Sequence, residues 1–254
     1  MREEGKSDRE GKHTRMREAV PGEPALRLGM IVMASGWSRR FGRNKLLDRL
    51  AEKPMISYVL RELSGAVAVQ NRRGSLSEIV SEELPSDRRE QYGDRRLTLD
   101  TPIVVTRFPE VRSLAAAYGF RCIFHSDPDQ SDTVRHGLSA PESAGWDGCM
   151  FLTGDQPMLS EASILRLVRA FRQNPDRVYR LSFNGEAGNP VIFPEKYFEN
   201  LRNLTGDHGG GVLLKNGMIP AADICLVSAD REFELWDVDT EEAQERLEKL
   251  LRRY

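Results

Sequence analysis

Residues 31–47 read IVMASGWSRRFGRNKLL, and they indicate the architecture of the chain more clearly than any other segment. An apolar run ends at Met33, and small, turn-forming residues follow it at positions 34–36. Two cations, Arg40 and Lys45, come next, five residues apart. This order is typical of a buried strand that leads into a phosphate-binding loop, because backbone N–H groups of a glycine-containing turn and fixed cations both bind phosphate oxygens. The alternative is an ordinary strand–turn–helix connection with arginines at the surface.

The composition narrows the class of protein. The chain has 254 residues, which is long enough for one large α/β domain or two small ones. Lys and Arg total 37 and Asp and Glu 39, so the net charge of −2 argues against a dedicated nucleic-acid binder. No apolar run approaches the roughly 18 residues that span a bilayer, and the N-terminal segment lacks the apolar stretch of a secretory signal. We therefore expect a cytoplasmic protein that does not enter membranes.

The pattern along the chain predicts one domain with two charged additions. Residues 1–27 are dominated by Arg, Glu, Lys and Gly, and we expect a disordered extension there. Residues 28–254 are expected to form a single domain, interrupted at about residues 70–100 by a charged insertion that holds one short helix at about residues 76–84. The predicted strands cover residues 28–33, 103–106, 121–125, 149–153, 190–193 and 224–227, and the predicted helices begin near residues 54, 111, 132, 160 and 240. This alternation predicts an α/β fold with three layers, α/β/α, and a mostly parallel sheet.

An aspartate follows the fourth predicted strand. Asp155 lies in the segment TGDQP, just beyond the carboxyl end of that strand, where open α/β sheets bind their ligands. A carboxylate that faces a cationic phosphate loop suits an Mg²⁺ ion bridging phosphate oxygens. The alternative is that Asp155 only caps the turn before the next helix.

The histidines show no pattern that indicates a metal site. None of them has the spacing of a zinc site, and we do not expect His125 or His136 to be ligands.

Five segments in chain order resemble the MobA-like nucleotidyltransferases, and most closely the molybdenum cofactor cytidylyltransferases among them. The opening motif of that family, [L/T]-A-A-G-x-S-x-R-[F/M]-G-x-x-K-L-L, aligns with residues 33–47, where Ser35 replaces the second alanine. The other four motifs are D-Q-P at residues 155–157, G-[H/N]-P-x-x-F at 188–193, L-x-G-D-x-G at 204–209 and D-[I/V]-D-T at 237–240. Five motifs in the same order are far more specific than any one of them.

The resemblance implies a nucleotide-diphospho-sugar transferase-like, Rossmann-like fold and a defined reaction. The expected reaction transfers CMP from CTP to the phosphate of the molybdenum cofactor (molybdopterin) and releases pyrophosphate, with Mg²⁺ as cofactor. CTP or another NTP and molybdopterin are the expected ligands, and a molybdenum hydroxylase is the expected protein partner. Three alternatives stay open: a guanylyltransferase, a sugar-phosphate nucleotidyltransferase of the same fold, and a non-catalytic molybdopterin carrier.

The resemblance also assigns roles to individual residues. The expected catalytic residues are the two cations that clamp the triphosphate and the carboxylate that binds Mg²⁺: Arg40, Lys45 and Asp155. The expected binding residues for nucleotide and acceptor, besides Arg40 and Lys45, are Met33, Ala34, Ser35, Gly36 and Asn189. Asp239 is expected to be a second metal contact. Its alternative role is to support the N-terminus of the last helix, with Thr240 as the cap.

Overall fold

A computed structural model describes residues 25–36, 43–75 and 96–251. Its strands are β1 (Leu26–Ala34), β2 (Arg49–Leu50), β3 (Lys53–Pro54), β4 (Leu97–Leu99), β5 (Ile103–Thr106), β6 (Arg121–Phe124), β7 (Gly148–Thr153), β8 (Val178–Phe183), β9 (Glu186–Pro194) and β10 (Ile224–Ser228). Its α-helices are α1 (Ile56–Ser75), α2 (Pro109–Ala117), α3 (Gln130–Leu138), α4 (Glu161–Gln173), α5 (Phe198–Arg202), α6 (Gly211–Lys215) and α7 (Glu241–Leu251). None of these helices combines the length and apolar character needed to cross a membrane.

One sheet organises the described part of the chain. Seven strands follow the order β10-β8-β9-β7-β1-β5-β6, and β4 pairs with one end of β1. Strand β1 runs parallel to β4, β5 and β7, and β6 runs parallel to β5. Only β9 is antiparallel to its neighbours, β7 and β8. The carboxyl ends of β7, β1, β5 and β6 therefore meet at one edge of the sheet, which we call the carboxyl edge.

The two faces of the sheet are covered by different helices. Met30 and Val32 of β1 pack into a core with α1, α2 and α4, while Ile31 between them packs into a second core with α3, α5 and α6. This alternation follows from the strand period of two residues, and a strand buried on both faces is apolar at nearly every position. The predicted three-layer α/β/α fold with a mostly parallel sheet is confirmed.

Several predicted boundaries need correction. The ordered chain includes Leu26, so β1 begins inside the predicted N-terminal extension. Helix α1 continues to Ser75, and residues 97–99 form β4, so both ends of the predicted insertion at 70–100 belong to regular elements. Three residues in a charged context have too little periodicity to be recognised as a strand, although β4 gains its stability by pairing with β1. The predicted helix at residues 76–84 and nearly all of the predicted extension lie outside the described residues.

A close contact between β1 and a buried tryptophan predicts a large effect on stability. A Cβ atom on Gly29 would lie 2.1 Å from ring atoms of Trp146, which is 1% exposed. We expect Gly29→Ala to lower the free energy of unfolding by about 3 kcal/mol, because a packed core cannot move the indole without strain. Denaturant unfolding followed by circular dichroism measures this loss. Gly211→Ala is the matched control, since a Cβ there meets no atom within 4 Å; equal stability of the two variants would contradict the prediction.

Candidate functional site

Lys45 is the centre of a charged cluster at the carboxyl edge. It begins a short 3₁₀ helix, residues 45–47, whose N-terminus is capped by Asn44, since its side-chain oxygen accepts from Leu46 N at 3.1 Å. The Lys45 ammonium donates to Asp155 Oδ2 at 2.7 Å and to Asp239 Oδ1 at 2.5 Å. Only 8% of Lys45 is exposed. The contact joins three segments that are far apart in the sequence.

Backbone bonds hold those segments in place. Asp155 follows β7, and the neighbouring Gly154 donates its N–H to Met33 O at the end of β1 at 3.1 Å. The Asp155 carbonyl accepts from Val238 N at 3.0 Å, which brings the 237–239 segment against the turn. Val238 is fully buried in a small core with Leu50 and other residues of the β2–β3 region and α7. The carboxylates on either side of Val238 are thereby fixed next to the end of β7.

In the described part of the Lys45 cluster, the carboxylates outnumber the ammonium group, and burial and these charges together shift the pKa values of Lys45 and Asp237. Burial lowers the pKa of Lys45, but Asp155 and Asp239 more than offset this effect, so the pKa is raised and the amine stays charged. Desolvation and the charges of Asp155 and Asp239 raise the pKa of Asp237 to about 7. Among the described residues of the cluster, Lys45 donates to two carboxylates and a third, Asp237, lies beside them, so the cluster favours an additional cation.

The donor set fits a hard divalent cation. Asp155 Oδ1 is buried and has no hydrogen-bond partner among the described residues. Such an atom carries a desolvation cost unless a proton or cation satisfies it. Mg²⁺ prefers carboxylate oxygens and accepts one or two of them together with phosphate oxygens. Asp155 and Asp239, with Asp237 beside them, could hold such an ion.

The end of β1 lies close to this cluster, since Met33 O accepts the N–H of Gly154, the residue before Asp155. Met33 is half-buried, Ala34 is buried and Gly36 is exposed with open space around its Cα. Ser35 is buried, and its hydroxyl donates to Val105 O at 3.1 Å, so its side chain points into the protein. Of this segment, Gly36 is therefore the residue that presents its backbone to the surface.

Asn189 and Arg40 complete the set of predicted site residues. Asn189 is half-buried in β9, two residues before Val191, the partner of Phe151, so it lies near the carboxyl end of β7. Arg40 lies outside the described residues. The helix-cap alternative for Thr240 is also realised, because its hydroxyl accepts from Ala243 N at 3.2 Å while Asp239 contacts Lys45. Asp237 was not predicted as a site residue, although it belongs to the same D-V-D-T motif.

Asp237 predicts a pH dependence of stability. Its pKa is about 7 in the folded protein against an ordinary value of 3.8, so between about pH 4 and 7 the folded state binds more protons than the unfolded chain. The free energy of unfolding should therefore fall as the pH rises through this window. Asp237→Asn removes this component. In EDTA, the free energy of unfolding of the variant minus that of the wild type should therefore be larger at pH 8 than at pH 5. Parallel pH profiles of denaturation for the two proteins would contradict this expectation.

Comparisons with known proteins place the chain among nucleotide-using transferases. A family model described as the MobA-like NTP transferase domain matches residues 30–222. The purine catabolism protein PucB of Bacillus subtilis (strain 168) is 29% identical over 212 residues, which cover 84% of this chain and 91% of PucB.

Two solved structures share the fold. Rv0371c from Mycobacterium tuberculosis H37Rv superposes with a TM-score of 0.61 at 22% identity, over 89% of this chain and 99% of the other. CMP:2-keto-3-deoxy-manno-octonic acid synthetase complexed with CTP superposes with a TM-score of 0.58 at 16% identity, over 89% of this chain and 99% of the synthetase. These similarities agree with the predicted nucleotide-diphospho-sugar transferase-like fold.

Proposed function

The chain belongs to the MobA-like NTP transferase family, and from this membership we propose that it transfers CMP from CTP to the phosphate of molybdopterin. The observation that supports this proposal most is the contact of Lys45 with Asp155 and Asp239 at the carboxyl edge. This contact joins three of the five family motifs in one cluster, close to the end of β1. A cluster with a charged lysine and excess carboxylates suits a triphosphate that arrives with a divalent cation.

The reaction is a displacement at phosphorus. An oxygen of the acceptor phosphate forms a bond to the α-phosphorus of CTP, and the bond from that phosphorus to the bridging oxygen of the β-phosphate breaks. Pyrophosphate leaves with the electron pair. Since the acceptor phosphate is already anionic at neutral pH, the protein needs no general base. Positioning and charge neutralisation are its main contributions.

The residues of the cluster divide these tasks. Lys45 keeps its positive charge and is held within reach of the metal-binding carboxylates, so it can neutralise phosphate oxygens whose charge grows in the transition state. Asp155 and Asp239 would hold the Mg²⁺ ion, which, when bound, supplies Lewis-acid neutralisation of the triphosphate. The exposed backbone at Gly36 is suited to contact phosphate or base. Arg40 is proposed as a second cation for the triphosphate, and Asn189 as part of the acceptor pocket.

The choice of substrates rests on similarity. The motifs are closest to those of molybdenum cofactor cytidylyltransferases, and the synthetase of the same fold was solved with CTP. By the same resemblance we propose a molybdenum hydroxylase as the protein that receives the product, and the cytoplasm as the place of the reaction.

Pyrophosphate release tests this proposal. The purified protein is incubated with Mg²⁺ and molybdopterin, and CTP, GTP, ATP and UTP are supplied separately. We expect release with CTP alone, and only when molybdopterin is present. A preference for GTP would move the protein to guanylyl transfer with the same mechanism. Nucleotide binding without release from any of the four would contradict transfer and favour the carrier alternative.

A further inference from the structure

A second polar cluster lies farther along the carboxyl edge, outside the Lys45 cluster. His125 directly follows β6, Asp127 lies in the next loop, and His136 lies in the last turn of α3. One ligand atom from each of the three residues lies within 4.8 Å of the others. Asp127 Oδ2 is 2.6 Å from His136 Nε2 and 4.0 Å from His125 Nδ1. Two imidazoles and one carboxylate thus lie together in one small cluster.

Hydrogen bonds around His125 assign its tautomer. The Ser35 hydroxyl donates its proton to Val105 O at 3.1 Å, so its oxygen is left to accept a bond. His125 Nε2 lies 2.7 Å from that oxygen and 3.5 Å from the Thr133 hydroxyl, and with Ser35 bonded to Val105 O it is Nε2 that donates to Ser35. The other nitrogen, Nδ1, then bears a lone pair that faces the cluster. Metal-binding histidines are commonly oriented in this way, by a hydrogen bond that the other ring nitrogen donates.

The lone pair on His125 Nδ1 lacks a partner. The side chain is 2% exposed, and Nδ1 makes no hydrogen bond within the part of the chain that the structure describes. The Asp127 carboxylate oxygen that faces it lies 4.0 Å away and has lone pairs but no proton to offer when ionised. A cation beside Nδ1 would satisfy this nitrogen and would replace the hydrogen bond that now joins Asp127 Oδ2 to His136 Nε2.

We propose that His125, Asp127 and His136 form a binding site for a divalent transition-metal ion, with Zn²⁺ as its simplest representative. Two imidazoles and one carboxylate are a usual ligand set for zinc and for other first-row ions, and the fourth position is left to water or to a ligand. Mg²⁺ is disfavoured there, because it prefers oxygen donors.

Metal binding requires the three ligand atoms, which lie within 4.8 Å of one another, to draw closer together. Bond lengths of about 2.0–2.2 Å place tetrahedral ligand atoms roughly 3.3 Å apart. The two distances from Asp127, 2.6 and 4.0 Å, lie on either side of this value. The Asp127 side chain is 49% exposed and can move between the two rings, whereas His125 is held by Ser35. The nearby charge of Arg107 is offset by several carboxylates, namely Asp127, Asp129, Asp132 and Asp207.

The position of the site suggests what the ion does. It would tie the end of β6 to α3, and through the bond from His125 to Ser35 it would also hold the residue that directly follows β1. The site shares no residue with the Lys45 cluster, so the proposal does not depend on the nature of the transferred nucleotide.

Zinc binding to the full chain tests the proposal. The protein is freed of metal by chelation, and Zn²⁺ is titrated calorimetrically in excess Mg²⁺, which covers the Asp155 carboxylates. We expect one tight site and, with Co²⁺, a visible absorption band typical of tetrahedral nitrogen and oxygen ligands. Asp127→Asn and His136→Gln should each weaken Zn²⁺ binding at least about 100-fold, since loss of an outer partner alone costs 10- to 100-fold.

Matched variants separate this site from others. His208→Gln removes an exposed histidine outside the cluster, and Asp155→Asn removes a carboxylate of the other cluster; both should bind Zn²⁺ as the wild type does. Because Asp127 lies in an exposed loop, its variant should fold normally, as circular dichroism will show. Unchanged Zn²⁺ affinity in folded Asp127→Asn, or the absence of a saturable site in the wild type, would overturn the proposal.

Discussion

Asp155→Asn is expected to lower kcat/KM for pyrophosphate release on the order of 10³-fold, which corresponds to about 4 kcal/mol of transition-state stabilisation. The substitution keeps the size of the side chain but removes the negative charge. It also replaces either the oxygen that binds Lys45 at 2.7 Å or the buried Oδ1 with an amide nitrogen. The proposed metal site would lose its most enclosed carboxylate. Steady-state kinetics at saturating Mg²⁺ measure the loss.

Thermal unfolding gives a second readout for the same variant. Mg²⁺ bound only to the folded protein stabilises it by mass action, about 2.7 kcal/mol at 100 times the Kd. We expect this shift in the wild type and in Asp176→Asn, a control at an exposed turn, but not in Asp155→Asn. In EDTA the stability of Asp155→Asn should stay within about 1 kcal/mol of the wild type, since Lys45 keeps its contact with Asp239. Wild-type activity in Asp155→Asn would show that Asp155 only supports the turn.

Lys45→Met should also abolish most of the activity, because it removes a positive charge rather than the proposed metal-binding carboxylate that Asp155→Asn removes. The methionine fills a similar volume without the ammonium that is proposed to neutralise the phosphates, and we expect a loss of about 10²- to 10³-fold in kcat/KM. The metal-free protein should also lose about 3 kcal/mol of stability, because the buried carboxylate of the ion pair is left without its cation. Mg²⁺ should restore part of that stability, since it supplies positive charge to the same carboxylates.

The two variants thus differ in a way that a general loss of folding cannot reproduce. Both lose activity, but only Lys45→Met loses stability in EDTA. Lys215→Met, at an exposed position of α6, is the matched control and should behave as the wild type in both assays. If Lys45→Met were active and as stable as this control, the lysine would have neither proposed role.

The order of the main strands and helices could be predicted from the sequence because it depends on local patterns. Strand β5 is a continuous β-branched run, and Ser160 precedes a regular amphipathic helix, which it caps by accepting from Ser163 N. Strand β8 was missed because Arg180 interrupts its apolar character, and the strand is identified by its pairing with β9 and β10 instead. Pairing partners are a property of the whole fold, so the local sequence does not display them.

The contacts of the candidate site could be predicted only in part. Resemblance to a family singled out Lys45, Asp155 and Asp239, but no spacing rule predicts contacts across 110 and 194 residues. The contact of His125 with His136 could not be predicted from the sequence either, because the two rings meet only where α3 packs near the end of β6. The expectation that neither histidine is a ligand rested on spacing alone, and it is replaced by the zinc-site proposal. Buried atoms without partners, such as Asp155 Oδ1 and His125 Nδ1, are visible only in three dimensions.

Isotopic labelling of CTP tests the central claim most directly. The protein is incubated with Mg²⁺, molybdopterin and CTP that carries ³²P at either the α- or the γ-phosphate, and the products are separated. Transfer of CMP predicts that the α-label appears in a molybdopterin product of higher mass and that the γ-label appears only in pyrophosphate. The γ-label on molybdopterin, or the α-label only in free CMP, would contradict the account.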